Sequence, residues 1–183
     1  KRIKALESKK HRLSEGLFVA EGPKVIGELS SISQPVELYE GDDARKASFL
    51  QHPQGMLALF ATSIFDAITP TSGLKLMLDG VRDPGNLGTI IRIADWFGID
   101  HIYCSADTAD ALNPKVVQAT MGSLARVKVE YADLCKVLDA LPQDYPVFAT
   151  QLDGNNLYDE PLATQGIIVM GNEGNGISEE VRQ

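Results

Sequence analysis

Residues 74–98, LKLMLDGVRDPGNLGTIIRIADWFG, leave few folds open. An apolar run at 74–78 meets a turn rich in Asp, Gly and Pro, and an apolar pattern of helical period begins near Asn86. A short apolar run bounded by Gly and Pro argues a buried strand, and Asn ahead of a periodic run argues a helix N-cap. Strand, tight polar turn and helix in that order are the unit of a parallel α/β sheet, whose ligand crevice lies beyond the carboxyl ends of its strands. Asp79, Arg82, Asp83, Asn86 and Gly88 would gather there. Residues 167–178, IIVMGNEGNGIS, repeat the arrangement, with a strand at 167–170 and a loop holding Gly171, Gly174 and Gly176.

The rest of the chain divides around these two stretches. Residues 1–68 read as a small α/β unit: a basic helix, then strands at 17–20, 36–39 and 56–60 alternating with helices at 23–29 and 42–51. Thr69, Pro70, Thr71, Ser72 and Gly73 are turn chemistry between apolar strands, a linker at 69–73. The larger unit, 74–183, continues with a helix at 86–97, strands at 101–104, 126–129, 147–150 and 167–170, and helices at 113–121 and 133–141. These complete a mostly parallel sheet.

Charge is unevenly placed. The chain carries 17 Lys and Arg against 25 Asp and Glu, a formal charge of -8. Residues 1–24 hold Lys1, Arg2, Lys4, Lys9, Lys10, Arg12 and Lys24 against Glu7, Glu15 and Glu21, so this arm carries +4 and the remainder -12. A basic arm on an acidic body suits attraction to phosphate at one end of the molecule, and a solvated helix face suits it equally. No apolar run reaches membrane-spanning length, and no secretory pattern is present. Cys104 and Cys135 lack redox or zinc spacing, which points to reduced thiols and a cytoplasmic setting, and His11, His52 and His101 form no ligand cluster, so no metal is expected.

On the helix at 86–97, Leu87, Ile90, Ile91, Ala94 and Phe97 fall on one face, and Arg92 lies off it with Gly88, Thr89 and Asp95. Arg92 could reach the crevice mouth or simply pair with Asp95 at i, i+3. The loop glycines would let the backbone pass close to a ligand or adopt positive φ. Glu173 between them could hold the loop by charged hydrogen bonds or sit idle on the surface. Arg126, at a strand start, could contact phosphate or be solvated.

Residues 83–95, DPGNLGTIIRIAD, closely resemble the first signature of the SpoU (TrmH-like) RNA 2'-O-ribose methyltransferases, and residues 170–178, MGNEGNGIS, the second. The resemblance implies a parallel-sheet SPOUT α/β-knot domain that uses S-adenosyl-L-methionine to methylate a ribose 2'-hydroxyl of structured RNA, ribosomal rather than transfer RNA, as a homodimer. By the same resemblance Arg92 is the essential catalytic residue, with Asn86 and Glu173 beside it. Gly171, Gly174 and, from the preceding strand end, Thr150, Gln151 and Leu152 would hold the methyl donor. Phe18-Val19-Ala20-Glu21-Gly22, followed by Lys24 and Val25, is similar to the L30e-like module that precedes the catalytic domain in many members and binds their substrate. Lys1, Arg2, Lys4, Lys9, Lys10, Arg12 and Arg126 are then the expected RNA contacts.

The family's third signature, a Ser-Leu-Asn run that completes knot and donor pocket, is missing from these residues, so the knot-forming C-terminal segment is expected beyond Gln183. If the natural protein lacked it, a non-catalytic RNA-binding protein would be the alternative. A nicotinamide-binding domain fits poorly. It needs G-x-G-x-x-G at the first strand-to-helix turn, where this chain has only Gly80, Gly85 and Gly88.

Overall fold

The computed structural model describes residues 2–71, 73–161 and 163–183. Lys1 of the basic arm and Ser72 of the linker lie outside them. The chain opens with two short helices, α1 (Arg2–Ala5) and α2 (Lys9–Glu15), followed by β1 (Leu17–Glu21), α3 (Pro23–Ser30), β2 (Glu37–Glu40), α4 (Gly41–Ala47) and β3 (Met56–Ala61). Their sheet is antiparallel in the order β1-β3-β2, with Phe18 opposite Phe60 and Leu38 opposite Ala58.

A 3-10 turn, Thr62–Ala67, leads to the second unit. It comprises β4 (Leu74–Leu78), α5 (Pro84–Trp96), β5 (His101–Cys104), α6 (Pro114–Ala119), β6 (Lys128–Tyr131), α7 (Leu134–Asp139), β7 (Val147–Ala149), β8 (Gly166–Met170) and α8 (Glu179–Arg182). Its five strands are all parallel, in the order β6-β5-β4-β8-β7. The α/β parallel-sheet class expected from the sequence is therefore the one found. β4 is central and covered on both faces, which explains why it is apolar at every position but Lys75. Leu76 and Leu78 join the core beneath α5 and α6, while Met77 points the other way, toward Leu134 and Val169.

The core runs without a break from the small sheet into the large one. Phe18, Ala20, Ala58 and Phe60, on one face of the small sheet, pack in the same cluster as Leu78, Leu87, Ile91, Val117 and Leu124 of the large unit. The opposite face, Leu17, Val19, Leu57 and Leu59, buries Leu6 and Ala44. A strand covered on both faces favours apolar residues throughout, as β1 has except at the buried Glu21, whose carboxylate accepts the Phe49 N–H at 2.7 Å. Among the described residues no helix is long and apolar enough to cross a membrane.

Three expectations about elements change. Asp83, not Asn86, caps α5: its Oδ1 accepts the Asn86 backbone N–H at 2.8 Å. The helix begins at Pro84, where a missing N–H costs nothing and φ is already helical. Phe97 is 74% exposed rather than buried, because α5 ends at Trp96 and Ile99 closes the core instead. The strand expected at 126–129 starts two residues later. Residues 123–125 make a 3-10 turn, and the N–H groups of Arg126 and Val127 both donate to the Ser123 carbonyl.

Candidate functional site

The carboxyl ends of β4 and β8 lie side by side, with Leu78 opposite Met170. The two loops that leave them are stitched together. The Asp79 N–H donates to the Met170 carbonyl at 2.9 Å, and the Ser178 N–H to Asp79 Oδ2 at 2.7 Å. Asn172 Nδ2 donates to the Gly80 carbonyl at 2.8 Å, and Asn86 Nδ2 to Glu173 Oε1 at 2.6 Å. Because Asp83 caps α5, the Asn86 side chain, one turn in, is free to make that last bond. Its donation holds the Glu173 carboxyl below the ordinary carboxylate range.

Why the second loop is glycine-rich is local. A side chain on Gly171 would run into the backbone of Gly176 and Ile177. Asn172 and Gly176 exchange backbone hydrogen bonds at 2.9 and 2.8 Å, and Gly176 has φ +69°. Asn172 Oδ1 accepts from the N–H groups of Gly174 and Asn175, a turn built by one side chain. Sequence reasoning passed over Asn172, although an Asn two residues before a Gly is such a turn signal.

Between this loop and the end of β7 opens a cleft of about 540 Å³, walled by residues 150–153 on one side and 171–176 with Arg182 on the other. Thr150, Gln151, Leu152, Gly171, Gly174 and Glu173 all line it. Asp153 and Arg182 add charges of opposite sign that the sequence did not single out. A wider groove of about 620 Å³ lies over the ends of β4, β5 and β6, carrying Asp79, Asp107, Asp133 and Glu180. Its carboxylates repel phosphate, and it lacks the glycine walls. Arg82 stands at its edge, bonded at 2.8 Å to Asp107, whose carboxyl that cation holds low.

Arg92 stands apart. It is exposed on the outer face of α5 and does not line the cleft. The alternative pairing with Asp95 is not made. Asp95 instead takes the guanidinium of Arg126 at 2.8 Å.

That pairing also relocates Arg126. Parallel strands start at the end of the sheet opposite the crevice, so a residue preceding β6 lies on the far rim, where Asp95 and Glu28 hold it at 2.8 and 2.6 Å. The basic arm is likewise partly committed. Arg12 is 2% exposed and bound to Asp110 at 2.5 Å and to the Leu6 and Glu7 carbonyls, which withdraws it from RNA. Arg2 pairs with Glu15 and Glu37, and Lys4 donates to the Ser48 carbonyl and lies 4.6 Å from the Phe49 ring centroid. Lys9 and Lys10 remain exposed on α2. Among the described residues no three His, Cys, Asp or Glu could together hold a metal ion.

A family model described as the SpoU rRNA Methylase family matches residues 73–183. The chain belongs to that family. A SpoU methylase relative, the 23S rRNA (guanosine(2553)-2'-O)-methyltransferase RlmP of Bacillus subtilis, is 30% identical over 95% of this chain and 79% of its own length. Among solved structures, a TrmH-family protein from Porphyromonas gingivalis superposes with a TM-score of 0.86 at 37% identity, over 99% of this chain and 82% of the other. An AdoMet-bound rRNA methyltransferase from Sinorhizobium meliloti does so with a TM-score of 0.84 at 29% identity, over 99% and 80%. This SpoU methylase is thus an RNA methyltransferase of the SpoU/TrmH type, and both loops of its site fall inside the matched region.

Proposed function

We propose that the protein transfers a methyl group from S-adenosyl-L-methionine to the 2'-hydroxyl of a ribose in ribosomal RNA. The observation that carries the reading is the Asn86–Glu173 bond. It ties the helix bearing Arg92 to the glycine loop that walls the cleft, so one hydrogen bond links the expected RNA side to the expected donor side.

The cleft suits the donor. Its size lies within the ~300–1,000 Å³ common for cofactor sites, and it is walled by glycine backbone whose close crossing leaves no room for a side chain at residue 171. Residues 150–153 and 171–176 would hold the adenosine and Asp153 the amino-acid ammonium. When bound, the donor supplies an electrophilic methyl on a sulfonium.

The chain's own residues must then place the hydroxyl. A guanidinium is a poor base at neutral pH, so Arg92 acts by gripping the phosphate beside the target ribose in bidentate fashion. That grip orients the 2'-hydroxyl and passes its proton toward phosphate oxygen and solvent. Positioning of this kind contributes most where the displacement is in-line.

Arg92 shares the outer face of α5 with Ile93, Trp96 and Phe97, which are 50, 85 and 74% exposed. So much apolar surface around a cation calls for a cover. A second copy of the chain packed on this face would place its own cleft next to Arg92, which makes the enzyme a homodimer with shared sites. The RlmP relative and the S. meliloti structure, both named as rRNA methyltransferases, favour ribosomal RNA over transfer RNA.

Calorimetry with the methyl donor and with NAD, alongside single-turnover transfer to total ribosomal RNA, tests the reading. Arg92→Ala is expected to keep donor affinity within about twofold and to lose transfer by at least about a hundredfold. Unchanged transfer in that variant would remove Arg92 from the chemistry, and binding of NAD without the donor would overturn the enzyme class.

A further inference from the structure

A second cavity, of about 210 Å³, lies where α2 and the turn after β3 meet the end of β6. It falls below the ~300 Å³ at which sites for drug-sized ligands begin, so it fits one small ring system rather than a cofactor. Its walls are mostly apolar: Leu13, Phe65, Leu112, Leu124 and Val129.

Polar side chains break that wall: Lys9, Arg12, Thr62, Asp110 and Tyr131. Arg12 lines the cavity, is 2% exposed, and keeps a buried Nε without a hydrogen-bond partner while its other nitrogens bind Asp110, Leu6 and Glu7. Tyr131 forms one side, fixed by donating to the Ala109 carbonyl and accepting the Ala111 N–H at 2.8 Å. At the mouth, Lys9 Nζ sits 5.3 Å from the Tyr131 ring centroid, and Leu13 is 72% exposed. Water satisfies such a cavity poorly, since it needs two to four polar partners.

We propose that this cavity takes up an unpaired nucleobase of the RNA substrate, stacked against Tyr131. Lys9 and Lys10, exposed on α2, meet the phosphates on either side of that nucleotide. Apolar walls, an aromatic platform and a cationic rim are how unstacked bases are held. The inference rests on RNA being the substrate and adds where a second nucleotide is held. β6 is the sheet's edge strand and lies three strands from β8.

The test uses stem-loop RNAs carrying 2-aminopurine at each unpaired loop position in turn, titrated with the protein, with donor binding and methyl transfer measured on the same samples. Quenching of about twofold or more at one position is expected from stacking. Leu13→Asp and Lys9→Glu, both at exposed positions, should abolish it and weaken RNA binding about tenfold while leaving donor affinity unchanged. If RNA binds and is methylated with no position quenched, or if both variants bind it as the parent does, the base pocket is overturned and the methyltransferase reading stands. If no RNA binds, both fall. If 2-aminopurine riboside monophosphate alone is quenched as strongly at equal concentration, the cavity is a free-nucleotide site and the RNA assignment is overturned.

Discussion

Gly171 is the position where a single added methyl group does most damage. Its Cβ would overlap the Gly176 carbonyl carbon and the Ile177 nitrogen, both backbone atoms held by the Asn172–Gly176 bridge, so the loop cannot yield locally. Gly171→Ala is expected to cost about 1–3 kcal/mol in denaturant unfolding and to weaken methyl-donor binding at least tenfold by calorimetry. Wild-type donor affinity in that variant would show that the loop's tight crossing is not what shapes the cleft. Some of this was legible in the residues. The glycines and Glu173 of the loop, and the strand end at Thr150, were singled out by residue type and family resemblance, and they line one cleft. Less legible were the partners of long side chains. Arg12 reads as one more cation in a basic arm, and only the fold brings Asp110, 98 positions away, to meet it. Asn86 and Asp83 are both good caps by residue type, and Pro84 between them decides the matter for Asp83.

Helix α5 is positioned by close contact with α6. A side chain at Gly88 would strike Ala119 and come within 3.0 Å of the Val116 carbonyl, so the two helices could not keep their separation. Gly88→Leu should therefore destabilise the protein by about 2–3 kcal/mol and reduce transfer, because α5 carries both Asn86 and Arg92. An unchanged melting temperature would contradict this packing. On β5, burial lowers the His101 pKa, opposed by Glu130, whose Oε2 lies 3.1 Å away, and assisted by Lys75 and Lys128. A folded state that disfavours the imidazolium binds fewer protons than the unfolded chain. Stability is then full above the ordinary histidine value of about 6.5 and falls as pH drops toward the lower folded value. His101→Gln should flatten that part of a melting-temperature profile, and an equal slope in the variant would place the dependence elsewhere. Strand and helix types were readable from period and punctuation. The start of β6 was not, since Ser123–Ala125 has no apolar period of its own and its 3-10 turn forms against α3 and α5.

Across the whole molecule, the two units are fastened by a shared core and by one buried ion pair. Removing the acceptor through Asp110→Ala would leave the Arg12 guanidinium, 2% exposed, without a counterion, at a cost of about 3–5 kcal/mol. Urea unfolding should show that loss, and a cost below about 1 kcal/mol would mean the pair adds nothing to docking. The antiparallel order of the small sheet and the continuity of the core were beyond sequence reading, because strand pairing across many residues leaves no local mark. Exposed cations on α2 and an acidic body together predict RNA binding that weakens with salt, led by few phosphate contacts. The most direct test of the account is to incubate the protein with labelled S-adenosyl-L-methionine and ribosomal RNA, then digest the RNA and locate the label. The account predicts label on a ribose 2'-oxygen at a defined nucleotide, lost in Arg92→Ala. Label on a base, or none under conditions where the donor is bound, would contradict it.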